Sequence, residues 1–322
     1  MTETKNEIAF LFPGQGSQAV GMGKDLAEQY PIARKTFDEA DDALGYKLSQ
    51  ICFDGPEEQL RLTEITQPAI LTASIAALRV LETQIPRPAL VAGHSLGEYS
   101  AHVASGTMTF ADAVRTVRNR GKYMQEAVPV GVGAMAAILG MEFEKVAAVC
   151  QEAAQGQVCD PANINSPEQV VISGNTAAVE RAAKLADERG AKRAKLLPVS
   201  APFHCSLMKP AQDRLEVDLN ALPMQKPVYP VACNVDAELV TEQLRARETL
   251  VRQVTGSVKW EQCMRLLIGK GVQVFVEIGP GKVLCGLMRQ IDRSRTCVNV
   301  GDAASLGKTL EQLQVCTPDA GS

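Results

Sequence analysis

The chain has 322 residues, 46% of them hydrophobic, enough for a full-sized core in one large domain or a domain carrying an insertion. A net charge of −4 speaks against wrapping nucleic acid, and no apolar run reads as a membrane span or a signal peptide. The nine cysteines are scattered without a C-x-x-C, which argues against a disulfide framework and for free thiols in a cytoplasmic protein.

In chain order, Ile8–Phe12 is predicted as a buried strand running directly into the turn-rich PGQGSQ. Helical periodicity covers Gly23–Gly45 and Gln67–Gln84, the second with an apolar face in AILTASIAALRVLETQ. Ala89–Gly93 is the next strand and feeds AGHSLGEYS, whose G-x-S-x-G opens a helix. A further helix covers about Phe110–Val128 and stops before PVGVG.

The pattern changes between Pro129 and Ser200. Strand GAMAAILG, helix EFEKVAAVCQEAA and strand VCDPANINS are followed by strand QVVISG, helix NTAAVERAAKLADERG and strand AKLLPVS. This βαββαβ order is that of a ferredoxin-like unit, with Gly131, Gly133 and Pro198 at its ends. The alternative is that these elements extend the main sheet. After Ser200 the alternation resumes with helix Leu207–Leu222, strand Val228–Val235 and helices Thr241–Val254 and Trp260–Gly269, then strands Gln273–Ile278 and Cys297–Val300. The expected architecture is a large α/β unit from 1–128 and 201–322, with a mostly parallel sheet, and a small inserted unit from 129–200. Ligands at such sheets lie beyond the carboxyl ends of strands, where both PGQGSQ and GHSLG fall.

Ser95 is the first candidate for chemistry. A serine on a tight strand-to-helix turn presents its hydroxyl outward, with the Leu96 N–H and the helix start aimed at a developing oxyanion. The plainer role is a helix N-cap. A serine nucleophile needs a base, and the candidates are His94, His102 and His204. His94, beside the serine, should point elsewhere; His102, seven residues on, suits a helix surface or cap. His204 lies in the loop VSAPFHCSLMKP, where a base can reach across a cleft. No histidine follows it, whereas an ordinary α/β-hydrolase places its base late in the chain.

Other motifs fall short. Gly14-x-Gly16-x-x-Ala19 is a loose dinucleotide fingerprint, but the acids that follow, Asp38, Glu39, Asp41 and Asp42, fall in a helical stretch. EIGPGK lacks the spacing of a P-loop. No histidine and carboxylate stand at metal-ligand spacing, so neither metal nor bound cofactor is expected.

Seven segments together carry a family resemblance: FPGQGSQAVGMGKDL, QPAILTASIAAL, GHSLGEYSAHVASG, RGKYMQEAVPVGVGAMAAILG, NINSPEQVVISG, LPVSAPFHCSLMKPA and VEIGPGKVL. In this order they resemble the malonyl-CoA:acyl carrier protein transacylases of type II fatty acid synthesis, from about Ile8 to Leu313. The resemblance implies a hydrolase-like large domain with a ferredoxin-like insertion. It implies Ser95 as the acyl-accepting nucleophile and His204 as general base. It implies Gln253 as the residue whose main-chain carbonyl orients His204, and the backbone N–H groups of Gln15 and Leu96 as the oxyanion hole. It implies Arg120 as the partner of the malonyl carboxylate, with Met124 and Phe203 in the substrate pocket.

An arginine suits that role. A buried guanidinium takes a carboxylate through two parallel hydrogen bonds, whereas an acetyl group leaves it unpaired at a cost of roughly 3–5 kcal/mol. Without the resemblance, Arg120 reads as a surface base alongside Arg115 and Arg118. Phe203 stands where some family members carry serine; in the related polyketide acyltransferases phenylalanine there goes with malonyl over methylmalonyl. The implied reaction is ping-pong transfer to the thiol of acyl carrier protein, with no nucleic acid or membrane partner. Carrier proteins are acidic, and residues 180–195 hold six bases against three acids, with Lys192, Arg193 and Lys195 as the candidate dock. A solvated helix face is the alternative for that run. A thioesterase or esterase could use the same Ser95–His204 pair, and a stand-alone acyltransferase could serve a polyketide pathway.

Overall fold

The computed structural model describes residues 7–199 and 201–316. Among them, strands β1 (Glu7–Phe12), β2 (Leu90–Gly93), β3 (Gly133–Leu139), β4 (Cys159–Ser166) and β5 (Gln169–Asn175) come first. They are followed by β6 (Arg193–Leu196), β7 (Val231–Ala232), β8 (Leu239–Val240), β9 (Val272–Ile278) and β10 (Thr296–Val300). These segregate into two sheets. The larger has the order β10-β9-β1-β2-β7-β8 and is parallel except for the short β7–β8 pair. The smaller has the order β4-β5-β3-β6 and is antiparallel throughout.

The central strands of the large sheet are apolar along their length because helices cover both faces. Phe10, Phe12 and Val91 pack on one side, with the helix Thr63–Leu81, and Ala9, Leu11 and Ala92 on the other, with Trp260 and Leu267. In the small sheet, Ala136, Ile138, Val170 and Ile172 pack under the helices Phe143–Ala154 and Thr176–Glu188. Its other face sends Met135, Ala162 and Val171 into the core of the large unit. Strand order and crossovers make the insertion ferredoxin-like, not an extension of the main sheet. No described helix is long and apolar enough to cross a membrane.

Several elements differ from the sequence expectation. The span Gly23–Gly45 forms two helices, Lys24–Gln29 and Pro31–Leu44, because Tyr30 is extended and Pro31, with no N–H, starts the second. The helix expected from Gln67 begins at Thr63 and carries Pro68 in its interior. Val228–Val235 reduces to the two-residue β7: Pro227 and Pro230 have no N–H to give a sheet, and Asn234 turns to other work. The strand expected to run to Ser200 ends at Leu196, before Pro198; Ser200 itself lies outside the described residues. The helices Leu48–Asp54, Val283–Ile291 and Ala303–Cys316 are additions.

Candidate active site

β1 and β2 are parallel neighbours, and their carboxyl ends set the site. His94 N–H closes onto the Phe12 carbonyl at 3.0 Å, and the chain then turns sharply at Ser95, whose φ is +51°. The two flanking glycines are required by space. A Cβ on Gly93 would lie 1.9 Å from the Gly97 backbone, and one on Gly97 would lie 2.1 Å from the Phe12 carbonyl. Asn234, just after β7, braces the turn from behind: its Oδ1 accepts from Ser95 N–H at 2.7 Å and its Nδ2 donates to the Gly93 carbonyl at 2.8 Å.

The Ser95 hydroxyl meets His204 Nε2 at 2.7 Å. His204 also has a left-handed backbone, φ +60°, and its Nδ1 donates to the Gln253 carbonyl at 2.9 Å. That bond fixes the tautomer, leaving Nε2 free to accept the serine proton. Burial first, and then the nearby Arg120 charge, push the His204 ring down to about 3, so it is neutral at physiological pH. The backbone N–H groups of Gln15 and Leu96 have no acceptor among the described residues, and both residues line the cavity in front of Ser95.

Arg120 is 2% exposed, in contrast to the surface role its neighbours keep. Arg115 pairs with Asp112, and Arg118 stands against Glu64 and the Tyr46 ring. Arg120 instead reaches inward from the helix Phe110–Ala127. Its Nη1 donates to Gln67 Oε1 at 2.8 Å, and its Nη2 to Gln253 Oε1 at 3.0 Å and to Ser95 Oγ at 3.2 Å. These partners are neutral, and its Nε has none. No carboxylate touches the cation; the Tyr99 ring faces its guanidinium at 5.6 Å, and Glu98 acts on it only across Gln253.

The cavity holds about 460 Å³ and is walled by Met124, Met135, Leu197 and Phe203 as well as the polar groups above. Every residue singled out for the pocket thus meets there; Gln253 lies directly behind it. An acyl transferase domain family matches residues 9–314. The chain belongs to the acyl transferase family.

Among relatives of this acyl transferase, the malonyl CoA-acyl carrier protein transacylase of Escherichia coli (strain K12) is 50% identical over 306 residues, which cover 95% of this chain and 99% of that one. The protein of the same name from Bacillus subtilis (strain 168) is 48% identical over 310 residues, 96% and 98% of the two chains. Among solved structures, an acyl carrier protein S-malonyltransferase from Vibrio cholerae superposes with a TM-score of 0.92 at 50% identity, covering 94% of this chain and 99% of that one. A malonyl-transacylase solved in complex with its type II PKS acyl-carrier protein gives a TM-score of 0.93 at 48% identity, covering 95% and 99%.

The other histidines of the acyl transferase are accounted for. His94 points away from the serine: its Nε2 stands 2.8 Å from Asn165 Oδ1 on β4, and its ring packs near Trp260. His102 is not on the helix surface as expected but fully buried, with neither ring nitrogen hydrogen-bonded, and burial pushes it down to about 3. Its helix is buried on every side from Gly97 to His102, so a histidine at that position is a core residue.

The basic run at 180–195 is mostly committed within the fold. Arg181 caps the carbonyls of Ala153 and Ala154, Arg189 pairs with Glu152, and Lys192 pairs with Glu168. Arg193 and Lys195 remain exposed on the edge strand β6, opposite Leu139 and Ala137 on the face turned away from the small unit's helices. The next residue on that face, Leu197, lines the cavity. Sequence reasoning passed over Gln67, Asn234, Glu98 and Asn165. Gln67 and Asn165 stand within the quoted family segments, but amides carry no signal of chemistry until their partners are placed.

Proposed function

We propose that this acyl transferase moves a malonyl group from malonyl-CoA to the phosphopantetheine thiol of acyl carrier protein through a malonyl-Ser95 intermediate. The observation that carries this reading is the Arg120 guanidinium 3.2 Å from a serine hydroxyl that is itself 2.7 Å from a neutral imidazole. A cation beside the nucleophile selects an acyl group that ends in an anion.

In the first half-reaction the Ser95 proton passes to His204 Nε2 as Oγ attacks the thioester carbonyl carbon. The oxygen that becomes negative is received by the N–H groups of Gln15 and Leu96. Collapse of the tetrahedral adduct breaks the C–S bond, and the CoA sulfur leaves with the proton from His204. In the second half the carrier thiol gives its proton to His204 and attacks the malonyl-serine ester, and the same donors receive the oxyanion. The serine then recovers its proton. The Gln253 carbonyl holds the imidazole through both halves, so no carboxylate is needed as a third member. Each proton and charge is handled by these groups, and no cofactor is required. Met124 and Phe203 bound the acyl end, where the Phe203 ring crowds a branched C2.

Residues 1–128 and 201–322 supply the nucleophile, base and cation in this scheme, and residues 129–200 supply the opposite wall. Arg193 and Lys195 form the dock for an acidic carrier, on the strand that leads to the cavity. Buried free thiols suit a cytoplasmic enzyme that supplies chain elongation in fatty acid synthesis. The relative in complex with a type II PKS carrier supports a polyketide carrier as a second acceptor.

The test is intact-mass spectrometry after brief exposure to malonyl-, acetyl- or methylmalonyl-CoA, with and without carrier proteins of both kinds. A malonyl adduct on Ser95 is expected to persist alone and to move to a carrier when one is added. An adduct that decays equally fast without carrier would make the protein a hydrolase. Comparable methylmalonyl loading would remove Phe203 as the selecting group.

A further inference from the structure

Behind the cavity, one carboxyl group that the reaction does not touch ties the serine turn to the histidine. Glu98 stands in the first turn of the helix Gly97–Ala104 and is fully buried. Its Oε2 accepts from the Asn234 backbone N–H at 3.0 Å and from Gln253 Nε2 at 2.7 Å. Each partner holds one half of the site. Asn234 holds the Ser95 turn at both ends of its amide. Gln253 holds the His204 ring through its main-chain carbonyl and Arg120 through its side-chain oxygen.

The direction of the Gln253 amide is decided here. Its Nε2 faces three acceptors, Glu98 Oε2, the Ser95 carbonyl at 2.9 Å and, at 3.5 Å, Asn234 Oδ1, while its Oε1 faces the Arg120 donor. Turned over, the amide would set oxygen against a carboxylate and a carbonyl, and N–H against a guanidinium. Glu98, the Ser95 carbonyl and the Arg120 donor together remove that alternative, and Glu98 supplies the shortest of these bonds. With Gln67 holding Nη1, the fixed Gln253 oxygen leaves Arg120 Nη2 directed at the serine.

Retaining Glu98 is costly. Its Oε1 is buried without a partner, and burial pushes the carboxyl up to about 7 against the pull of Asn234, Gln253 and Arg120. An apolar side chain would fill this space without that penalty, so the group does more than fill it.

We propose that Glu98 is a positioning residue for acyl transfer: it locks Asn234 and Gln253 in the arrangement that sets the Ser95 turn, the His204 ring and the Arg120 guanidinium against one another. The Arg120 part rests on the malonyl-transfer reading; the Ser95–His204 part does not.

The test compares Glu98→Ala, Glu98→Gln and Glu98→Met with the wild type in two assays, with thermal unfolding recorded for each. The first is the rate of Ser95 labelling by a fluorophosphonate, which needs the serine–histidine pair but neither malonyl group nor carrier. The second is kcat and KM for malonyl transfer from malonyl-CoA to acyl carrier protein. Glu98→Ala and Glu98→Met are expected to slow labelling about tenfold or more, to lower kcat at least as far, and to raise KM for malonyl-CoA. Glu98→Gln keeps an acceptor oxygen for both donors and is expected to restore labelling to within about threefold of wild type. Glu98→Ala or Glu98→Met within about twofold of wild type in both assays would overturn the proposal. So would Glu98→Gln as impaired as Glu98→Met at equal thermal stability. If Glu98→Ala does not fold, the Gln and Met pair, closer in size, carries the comparison. A wild type that takes the fluorophosphonate but no malonyl group would end the malonyl reading and leave the labelling comparison intact as the test of Glu98.

Discussion

Arg120 is a cation enclosed among neutral partners, and its value lies in what it rejects. An acetyl group in this cavity leaves the guanidinium as unpaired as before, while a malonyl group supplies the missing anion. Arg120→Ala is therefore expected to lower the ratio of malonyl to acetyl loading about a hundredfold, read by competitive adduct formation on Ser95. The same charge helps hold His204 neutral, after burial itself. The acid limb of Ser95 acylation should accordingly lie well below pH 6.5, and Arg120→Ala should move it upward; single-turnover acylation against pH measures both. At this scale Ser95, His204 and Arg120 were legible as residue types in recognisable segments. Glu98 and Gln67 stand in such segments too, and Asn234 does not, yet none of their roles was legible, because an amide or carboxyl that holds another side chain acts through geometry that the order of residues does not display.

His102 and the His94–Asn165 contact belong to the scale of elements. His102 on the helix Gly97–Ala104 is pushed down to about 3 by burial, so the unfolded chain binds a proton there that the folded chain refuses. Its contribution to stability is undiminished above about pH 6.5 and is lost as pH falls toward 3, by about 1.4 kcal/mol per pH unit. His102→Leu is expected to flatten the fall of unfolding free energy between pH 4.5 and 6.5 by about that slope, measured with denaturant at each pH. The expectation of a surface histidine failed because the residue was weighed alone, whereas its helix is buried on every side from Gly97 to His102.

A second element-scale device joins the two sheets. His94 meets Asn165 on β4, while Val258 N–H donates to Ala162 and Ile164 N–H to Val258, at 2.8 Å and 2.9 Å. Ser257 Oγ adds a bond to the Pro161 carbonyl at 2.6 Å. These bonds hold the wall that β4 forms over the serine. Asn165→Ala leaves a buried imidazole nitrogen without its partner and is expected to cost about 1–2 kcal/mol and raise KM for malonyl-CoA more than it lowers kcat. Faster amide exchange in β4 would show the wall loosening. The strands themselves were well placed from alternation and length. The span Val228–Val235 was overdrawn, and only the two-residue β7 forms there, because proline spacing weighs less in a pattern than six apolar residues do.

Across the whole molecule, a net charge of −4 hides a local surplus. Most bases near residues 180–195 are spent on carbonyls and carboxylates, which leaves Arg193 and Lys195 on one face of β6 beside the cavity. Reversing both to glutamate is expected to raise KM for carrier protein about tenfold or more and to weaken its salt dependence, with KM for malonyl-CoA little changed. The sequence displayed the surplus but not which bases are free, because that depends on carbonyls and acids brought in from other helices.

The order of strands in the large sheet has a consequence for biosynthesis. β1 is made first, yet one of its two neighbours is β9, whose residues begin at Val272. β1 therefore carries an open edge until β9 has been made, and the large sheet cannot close before β9 and β10 leave the ribosome. The small sheet, built from neighbours within about 65 residues of one another, can be complete well before that. The finished insertion then waits on an unfinished host, which ties chaperone demand to the interval before β9 is made and not to the inserted unit.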